Sequence, residues 1–450
     1  MNIDSLDPNV FAPVNRQAWL KLVNRALKGA DFQEALVSRT DDGIAVEPLY
    51  ARRPDATPLA RRQVDRPWIV SQRMDDPEIE RAFAQLADDL ANGANGINLI
   101  SKTGSSAFGA GIDAGTEGLP ARLADAVSGS SISLRLDGLA PVFAEALASA
   151  LGRNQHLPTL HFGLDVFTST GIAKEIASSF QRLRNAGFSG SILNADGRAV
   201  HNAGGTEAQE LAVMAASLVG HLRLLDQAGF APDATLDAIS LCLSADQNQL
   251  VTMAKARAAR MIFARIAETC GISDPPTAYL HMETSYRMLT RLDPETNILR
   301  NTIAVFSAGT GGADEISVLP HSLTYGIPGP LARRLARNTQ TILIAESHLD
   351  HVIDPAAGAG GIEALTEALA EKAWEIFVGI ERDGGLAEVI ASGRLAAMVQ
   401  EERGSRAAKP IVGTTLFAAK VERPVAVLGE LGIAAECMGL KPVRLDEVER

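Results

Sequence analysis

With 450 residues, 46% of them hydrophobic, the chain can bury one large core and still carry an arm or a small second lobe. Its formal net charge of −12 speaks against nonspecific nucleic-acid binding. Three widely spaced cysteines, Cys242, Cys270 and Cys437, speak against disulfides and structural zinc and point to a reducing cytoplasm. No basic-then-apolar leader opens the sequence, and no apolar run approaches the roughly 20 residues needed to cross a bilayer.

Residues 1–65 read as an arm and a linker. Trp19, Leu20, Val23 and Leu27 fall on one stripe of Gln17–Leu27, which predicts a short amphipathic helix. Asp42-Gly43 between extended segments predicts a hairpin. Four arginines (Arg52, Arg53, Arg61 and Arg62) and two prolines between 51 and 65 predict an extended linker.

From Arg66 onward, strand and helix patterns alternate. Strands are expected at Trp68–Gln72, Gly96–Ile100, Ser131–Leu136, Thr159–Val166, Ser191–Asn194, Ala238–Ser244, Ala278–Met282 and Thr302–Ser307. Helices are expected between them, at 78–91, 140–151, 172–186, 208–228 and 250–270. The pattern predicts an α/β fold, a (β/α)8 barrel of TIM type over residues 66–330. Spacing alone leaves a doubly wound open sheet possible, but no GxGxxG loop follows the first strand. Thr206 with Gln209 three residues on predicts a capping box at the start of a helix.

The strands alternate in an unusual way. Ser131, Ser133 and Arg135 share one face, as do Ser240, Cys242 and Ser244, while leucines hold the other. The apolar face must meet the helices, so the lumen is small and polar where a barrel is usually filled by branched apolar side chains. Either the lumen is open or wet, or it is a polar core closed by hydrogen bonds and buried water.

Residues 331–450 predict a helical extension. One helix begins at Leu331, Asp354-Pro355 breaks the pattern, and a second runs over 361–380 with Leu365, Leu369, Ala373, Ile376 and Phe377 on its core face. Lys409–Thr414 reads as extended, and a leucine-rich tail follows over 425–440. His348 and His351, three apart on an expected helix, have a metal-binding spacing but no third ligand; the alternative is a solvated helical face.

Several segments, in one order, carry a family resemblance. They are Trp19 with Lys28-Gly-Ala-Asp-Phe32 and Thr40–Tyr50, then Arg66-Pro-Trp-Ile-Val-Ser-Gln72, then His201–Ala212, then His281-Met-Glu-Thr-Ser285 with Leu289–Arg300, and finally Ala336–Gln340, Glu346-Ser347 and Asp354-Pro355. From about residue 19 to residue 417 the chain resembles the methylmalonyl-CoA mutase family. That resemblance implies an N-terminal arm wrapped on a partner subunit and a barrel whose axis takes the pantetheine chain of coenzyme A. It implies substrate contacts at Gln72, Ser131, Ser133, His201, Ser240, His281 and Ser285. Arg52, Arg53, Arg61 and Arg62, or Lys255, Arg257 and Arg260 on one helix, are candidates for coenzyme A phosphates, the alternative being surface charge and ion pairing. His281 and His321, expected near strand ends, are candidates for hydrogen bonds to a ligand.

Departures from the catalytic pattern lie at its centre. Arg73 stands where catalytic members carry a tyrosine against the adenosyl group, Arg198 falls on a second tyrosine, and Ala199 falls on the catalytic histidine. Gly309–Pro320 looks like the corresponding segment of the family's small, noncatalytic subunit. The cobalt-ligating D-x-H-x-x-G motif does not occur in the sequence. The resemblance therefore implies a small (β) subunit with no catalytic residue and no cofactor of its own. Adenosylcobalamin is then expected in a catalytic (α) partner subunit, and coenzyme A esters are a further ligand class. Alternatives are the substrate-binding half of a mutase whose cobalamin domain is a separate chain, and a coenzyme A ester binder without turnover. A homodimer is an alternative assembly in isolation.

Overall fold

The computed structural model describes residues 15–60, 66–152, 158–168, 173–421 and 423–448. The linker residues Arg61 and Arg62 lie outside the described residues. The arm opens with helices α1 (Arg16–Leu27) and α2 (Phe32–Leu36), then a two-stranded hairpin, β1 (Ser38–Arg39) and β2 (Ala45–Val46). Asn15 caps α1 and Asp31 caps α2 through their side chains. No residue of either helix is buried, and the expected stripe of Trp19, Leu20, Val23 and Leu27 is only half covered. The hairpin tip, in contrast, is held on the body. Asp42 Oδ1 accepts from the Ala208 amide at 3.0 Å, and Asp41 pairs with Lys409 and, at 3.2 Å, with Arg406.

Eight parallel strands then close a barrel in the order β10-β3-β4-β5-β6-β7-β8-β9. They are β3 (Ile69–Met74), β4 (Gly96–Ile100), β5 (Ser133–Asp137), β6 (Thr159–Leu164), β7 (Gly190–Asp196), β8 (Ile239–Ala245), β9 (Tyr279–Thr284) and β10 (Glu315–Ser317). Between them run α3 (Ile79–Ala91), α4 (Leu119–Val127), α5 (Pro141–Leu151), α6 (Ala173–Asn185), α7 (Arg198–Asn202), α8 (Glu207–Gln227), α9 (Pro232–Leu236), α10 (Gln249–Thr269) and α11 (Thr296–Thr310). After the barrel come α12 (Pro330–Ala345), α13 (Gly360–Arg382), α14 (Leu386–Ala391), α15 (Arg394–Ser405) and, near the end, α16 (Leu445–Val448).

Two expectations are corrected. Thr302–Ser307 is helical, inside α11, and the eighth strand is β10. The β-branched run Thr302, Ile303, Val305 suggested a strand, but the buried set Asn297, Arg300, Asn301, Ala304, Val305 and Ala308 repeats at helical spacing. β10 is three residues long and has no apolar alternation to reveal it. His348 and His351 are not on a helix, because α12 ends at Ala345; they lie in the following loop with their rings stacked at 4.8 Å.

Outward side chains such as Leu99, Leu134, Leu136, Leu193, Leu241, Leu243 and Met282 are fully buried under the helices. α8 and α10 are rich in alanine and buried nearly all round, as expected of helices with a second layer over them. That layer is α13, which packs Leu365, Leu369, Ala373 and Phe377 across both. Thr206 and Gln209 form the expected capping box at the start of α8. Replacing Thr206 with Ala is expected to cost about 1 kcal/mol of folding stability. A urea midpoint unchanged within error would show that the box contributes nothing.

Candidate functional site

Alternate side chains of a barrel strand point into the lumen. Register brings Arg73, Asn98 and Arg135 to one level, with Ser71 and Ser133 a step below and Asp137 a step above. His161, Ser191, Asn194, Asp196, Ser240, Cys242, Ser244, Tyr279, His281, Glu283, Glu315 and Ser317 complete the inward set. The interior is therefore polar from end to end.

Its C-terminal half is filled by ion pairs. Arg73 donates to Glu283 Oε2, to Asp75 Oδ2 at 2.9 Å and to the Ser106 carbonyl at 2.6 Å. Arg198, at the start of α7, donates to Asp137 Oδ2 at 2.7 Å and to Asp196 Oδ2 at 2.6 Å, and lies 3.5 Å from Glu283 Oε1. Arg333 reaches in from α12 to Asp75 at 2.7 Å. All these side chains are buried. Burial alone pushes a carboxyl up. At Asp137 the Arg198 guanidinium outweighs burial and holds the carboxyl below its usual value, as Arg333 and Arg73 do at Asp75. At Asp196 and Glu283 burial prevails and both are raised, as four carboxylates facing three guanidinium groups require. The two arginines at the departing positions, Arg73 and Arg198, thus converge on one carboxylate, Glu283.

A step below Asp137, Arg135 Nε lies 3.5 Å from Glu315, and its Nη1 donates to Ser240 Oγ at 3.4 Å. His281 sits between Ser317 Oγ at 3.0 Å and Cys242 Sγ at 3.4 Å. Burial and then the Arg135 and Arg198 charges push its pKa well down, so it is neutral. Burial lifts the Cys242 thiol to about 12, so it is not a nucleophile. Among the described residues, Ser71 Oγ, both side-chain amide atoms of Asn98 and Arg135 Nη2 have no hydrogen-bond partner. Below this level a cavity of about 740 Å³ opens at the N-terminal mouth, lined by Ser131, Ser133, Thr159, His161, Ser191 and Tyr279 among others.

The expected contact residues therefore divide. Ser131 and Ser133 line the cavity, and Ser240 and His281 face the lumen above it. Gln72 points outward, donating to Asp89 at 3.0 Å and to the Arg333 carbonyl at 3.2 Å. His201 lies on α7, where residues two apart point in nearly opposite directions, so it cannot occupy the space beside Ala199. His201 Nε2 instead meets Ser285 Oγ at 2.8 Å, and its Nδ1 lies 3.4 Å from both Glu207 and Glu210. His321 is partly buried, and burial lowers its pKa.

Ser285, His201 and the glutamates stand in the order of a hydrolase relay. Ser285 and His201 are wholly buried, however, and both glutamates already bind Lys255, with Glu207 also taking Arg287 at 3.0 Å. Ligand atoms of His201, Glu207 and Asp246 also lie within 4.8 Å of one another, as metal ligands could, but the Lys255 ammonium and Arg287 supply the positive charge there. For the basic residues of α10 the structure shows the ion pairing that stood as the alternative to phosphate contact. Lys255, Arg257 and Arg260 are neither surface charges nor open to phosphate. Arg257 pairs with Asp354 and, at 2.7 Å, with Glu363, and Arg260 pairs with Asp314 at 2.8 Å. Arg53 pairs with Glu367 at 2.8 Å.

Asp137, Asp196 and Glu283 were missed from sequence. Asp137 lies two residues beyond the recognised inward Arg135 and Glu283 two beyond the candidate His281, so carrying the alternation one step further finds both. Asp196 lies two beyond Asn194, which closes an expected strand but is assigned to no face by the sequence pattern.

Fold and site define a (β/α)8-barrel protein whose lumen is closed above by paired charges and open below. A profile of the family described as Methylmalonyl-CoA mutase matches residues 188–429. The methylmalonyl-CoA mutase small subunit of Streptomyces virginiae is 34% identical over 473 residues, covering 97% of this chain and 75% of that protein. The probable small subunit of Mycobacterium tuberculosis is 44% identical over 220 residues, 48% of this chain and 35% of that protein. That of Propionibacterium freudenreichii subsp. shermanii is 28% identical over 450 residues, 90% of this chain and 69% of that protein. The chain belongs to the methylmalonyl-CoA mutase family, as a homologue of its small subunits.

Changing Arg198 to Met leaves Asp137 and Asp196 buried without their main partner. The expected loss is about 3–5 kcal/mol at pH 7. The sign with pH follows. In the unaltered chain Asp137 is depressed, so its contribution is present above the unfolded pKa of 3.8 and is lost as pH falls through the folded value. In the variant Asp137 rises above the unfolded value and Asp196, already raised, rises further, so stability is gained on acidification. The gap between variant and parent should shrink from pH 7 to pH 5, and a constant gap would count against the pairing.

Proposed function

We propose that this chain is the small, noncatalytic subunit of an adenosylcobalamin-dependent methylmalonyl-CoA mutase. The complex interconverts methylmalonyl-CoA and succinyl-CoA in the cytoplasm, and a catalytic (α) subunit carries the cofactor and the chemistry. This chain contributes structure. The observation that carries the reading is the convergence of Arg73 and Arg198 on Glu283. It fills the C-terminal half of the lumen with fixed charge where catalysis of this class needs an apolar wall and, at Ala199, an acid. The half-covered stripe of α1 supports a role for the arm as a partner contact.

The residues at the C-terminal mouth do not fit adenosylcobalamin. The position that would wall the adenosyl group is a buried, triply bonded arginine, Arg73, and the tail of the chain crosses the face above it. No step of this chain's chemistry runs through that cofactor.

Co-expression with a catalytic mutase subunit tests the reading. Succinyl-CoA formation should require the catalytic chain, co-elute with this one and persist after His201→Ala or His281→Ala in this chain. Activity of this chain with only a separate cobalamin-binding protein would instead favour the substrate-binding half.

The N-terminal cavity favours a second reading, a coenzyme A ester binder without turnover. Barrel enzymes place their chemistry at the other face, so a ligand here would be bound and not converted. The unpartnered atoms of Ser71, Asn98 and Arg135 above the cavity suit a polar chain. Succinyl-CoA should then raise Tm in this chain alone, by about 2.7 kcal/mol of stabilisation at a hundredfold excess over Kd. Ser131→Trp at the rim should abolish the shift, and no shift in the unaltered chain removes this reading.

A further inference from the structure

The C-terminal mouth of the barrel is crossed by residues 427–446. They are fixed to the loops that follow four different strands. Leu428 donates to the Ile327 carbonyl and Ile327 to the Gly429 carbonyl, each at 2.8 Å. Gly432 donates to the Gly109 carbonyl at 2.7 Å, in the loop after β4. Val443 donates to the Asn202 carbonyl at 2.8 Å, beyond β7, and Leu445 to the Arg287 carbonyl at 2.9 Å, beyond β9. Asp446, itself buried, accepts from the Arg291 amide at 2.9 Å and from Arg444 at 3.0 Å.

Two glycines make room for this path. A Cβ at Gly109 would sit 2.3 Å from the Gly432 carbonyl oxygen, and one at Gly326 would sit 2.3 Å from that of Gly429. Between the anchors, Cys437 and Leu440 exchange backbone hydrogen bonds of 3.0 and 2.8 Å around a tight turn. Met438 and Leu440 of that turn are buried in the main core, with Cys437 packed against it. Burial raises the Cys437 thiol, and the nearby charges of Asp196, Asp165 and Asp137 add to that. The turn therefore lies close enough to Asp137, Asp165 and Asp196, at or just beyond the C-terminal ends of β5, β6 and β7, to feel their charge.

We propose that residues 427–446 are a strap that keeps the C-terminal mouth of this barrel shut, with the turn Cys437–Leu440 as its stopper. Access from that side requires the strap to lift, so a ligand or a partner's domain cannot reach the lumen through this face while the strap is seated. The inference goes beyond the subunit reading and does not depend on which chain the protein pairs with.

The three cysteines provide the test, because Cys270 is exposed, Cys242 is buried in the lumen and Cys437 lies in the strap. In the full chain carrying Cys270→Ser, modification by iodoacetamide is followed by peptide mass mapping. Cys437 should react far more slowly than in urea. Arg444→Ala and Asp446→Asn, which weaken the far anchor, should each speed it at least about tenfold by local opening while Cys242 stays protected. Modification of Cys437 in the unaltered strap at the rate seen in urea would overturn the proposal. So would no acceleration in either variant. Loss of Cys242 protection in both would mean that these contacts hold the barrel itself, and would overturn the strap as a separate element.

Discussion

The pairing of Arg73 and Arg198 with Glu283, Asp75, Asp137 and Asp196 is the constraint on which the rest of this barrel depends. Most barrels fill their lumen with branched apolar side chains. This one fills the upper half with charge, and the cost of desolvating each ion is several kcal/mol unless geometry and hydrogen bonds offset it. The offset is visible: each of these two guanidinium groups meets at least two carboxylates, and the Ser105 and Ser106 hydroxyls donate second hydrogen bonds to the Oδ2 atoms of Asp196 and Asp137 that Arg198 already holds. No member can be removed alone without leaving a buried charge behind. The side chains come from β3, β5, β7, β9 and α7, so the network ties strands together across the barrel and not only along its wall.

A lumen that buries polar groups must draw its apolar stabilisation from outside. That explains the composition of α8 and α10. Their alanines let the helices lie close to the leucine-rich outer face of the strands, and α13 covers them from the other side. The buried cluster of Lys255, Glu207, Glu210, Arg287 and Asp246 sits at the N-terminal ends of these two helices, where the helix dipole favours the glutamates and the lysine and arginine neutralise them. His201 and Ser285 belong to this structural cluster by position. Both are wholly buried, and their mutual hydrogen bond satisfies polar groups in a closed space.

Much of this was legible in the sequence, and the exceptions have physical causes. Seven of the eight barrel strands and five of the helices between them, α3, α5, α6, α8 and α10, follow from periodicity, because each has an apolar face long enough to show it. β10 does not, since three residues with an inward Glu315 and Ser317 carry no pattern of their own. α11 misled because β-branched residues, common in strands, also tolerate a helix once one face is buried. The polarity of the lumen was readable from Ser133, Arg135 and Ser240. Whether that lumen is open or closed was not, because closure depends on which long side chains meet across it. Arg73 and Arg198 are 125 residues apart in sequence and share Glu283 only through the curvature of the barrel. Gln72 and His201 were placed by motif, and motif carries no information on which way a side chain points. Alternation places Gln72 on the outer face, and helical geometry turns His201 away from Ala199.

The strap also bears on the paired charges. An ion pair gains strength as water is excluded from it, and an unpaired buried charge becomes costlier by the same factor. The turn at Cys437–Leu440 buries Met438 and Leu440 in the core within reach of the charges of Asp196 and Asp137, so a seated strap adds apolar surface near the paired groups that an open mouth would lack. A barrel built for chemistry needs the opposite arrangement, an uncovered face with groups held ready for a ligand. Here Arg73, Arg198 and Glu283 turn inward on one another, and the polar cavity lies at the opposite, N-terminal face.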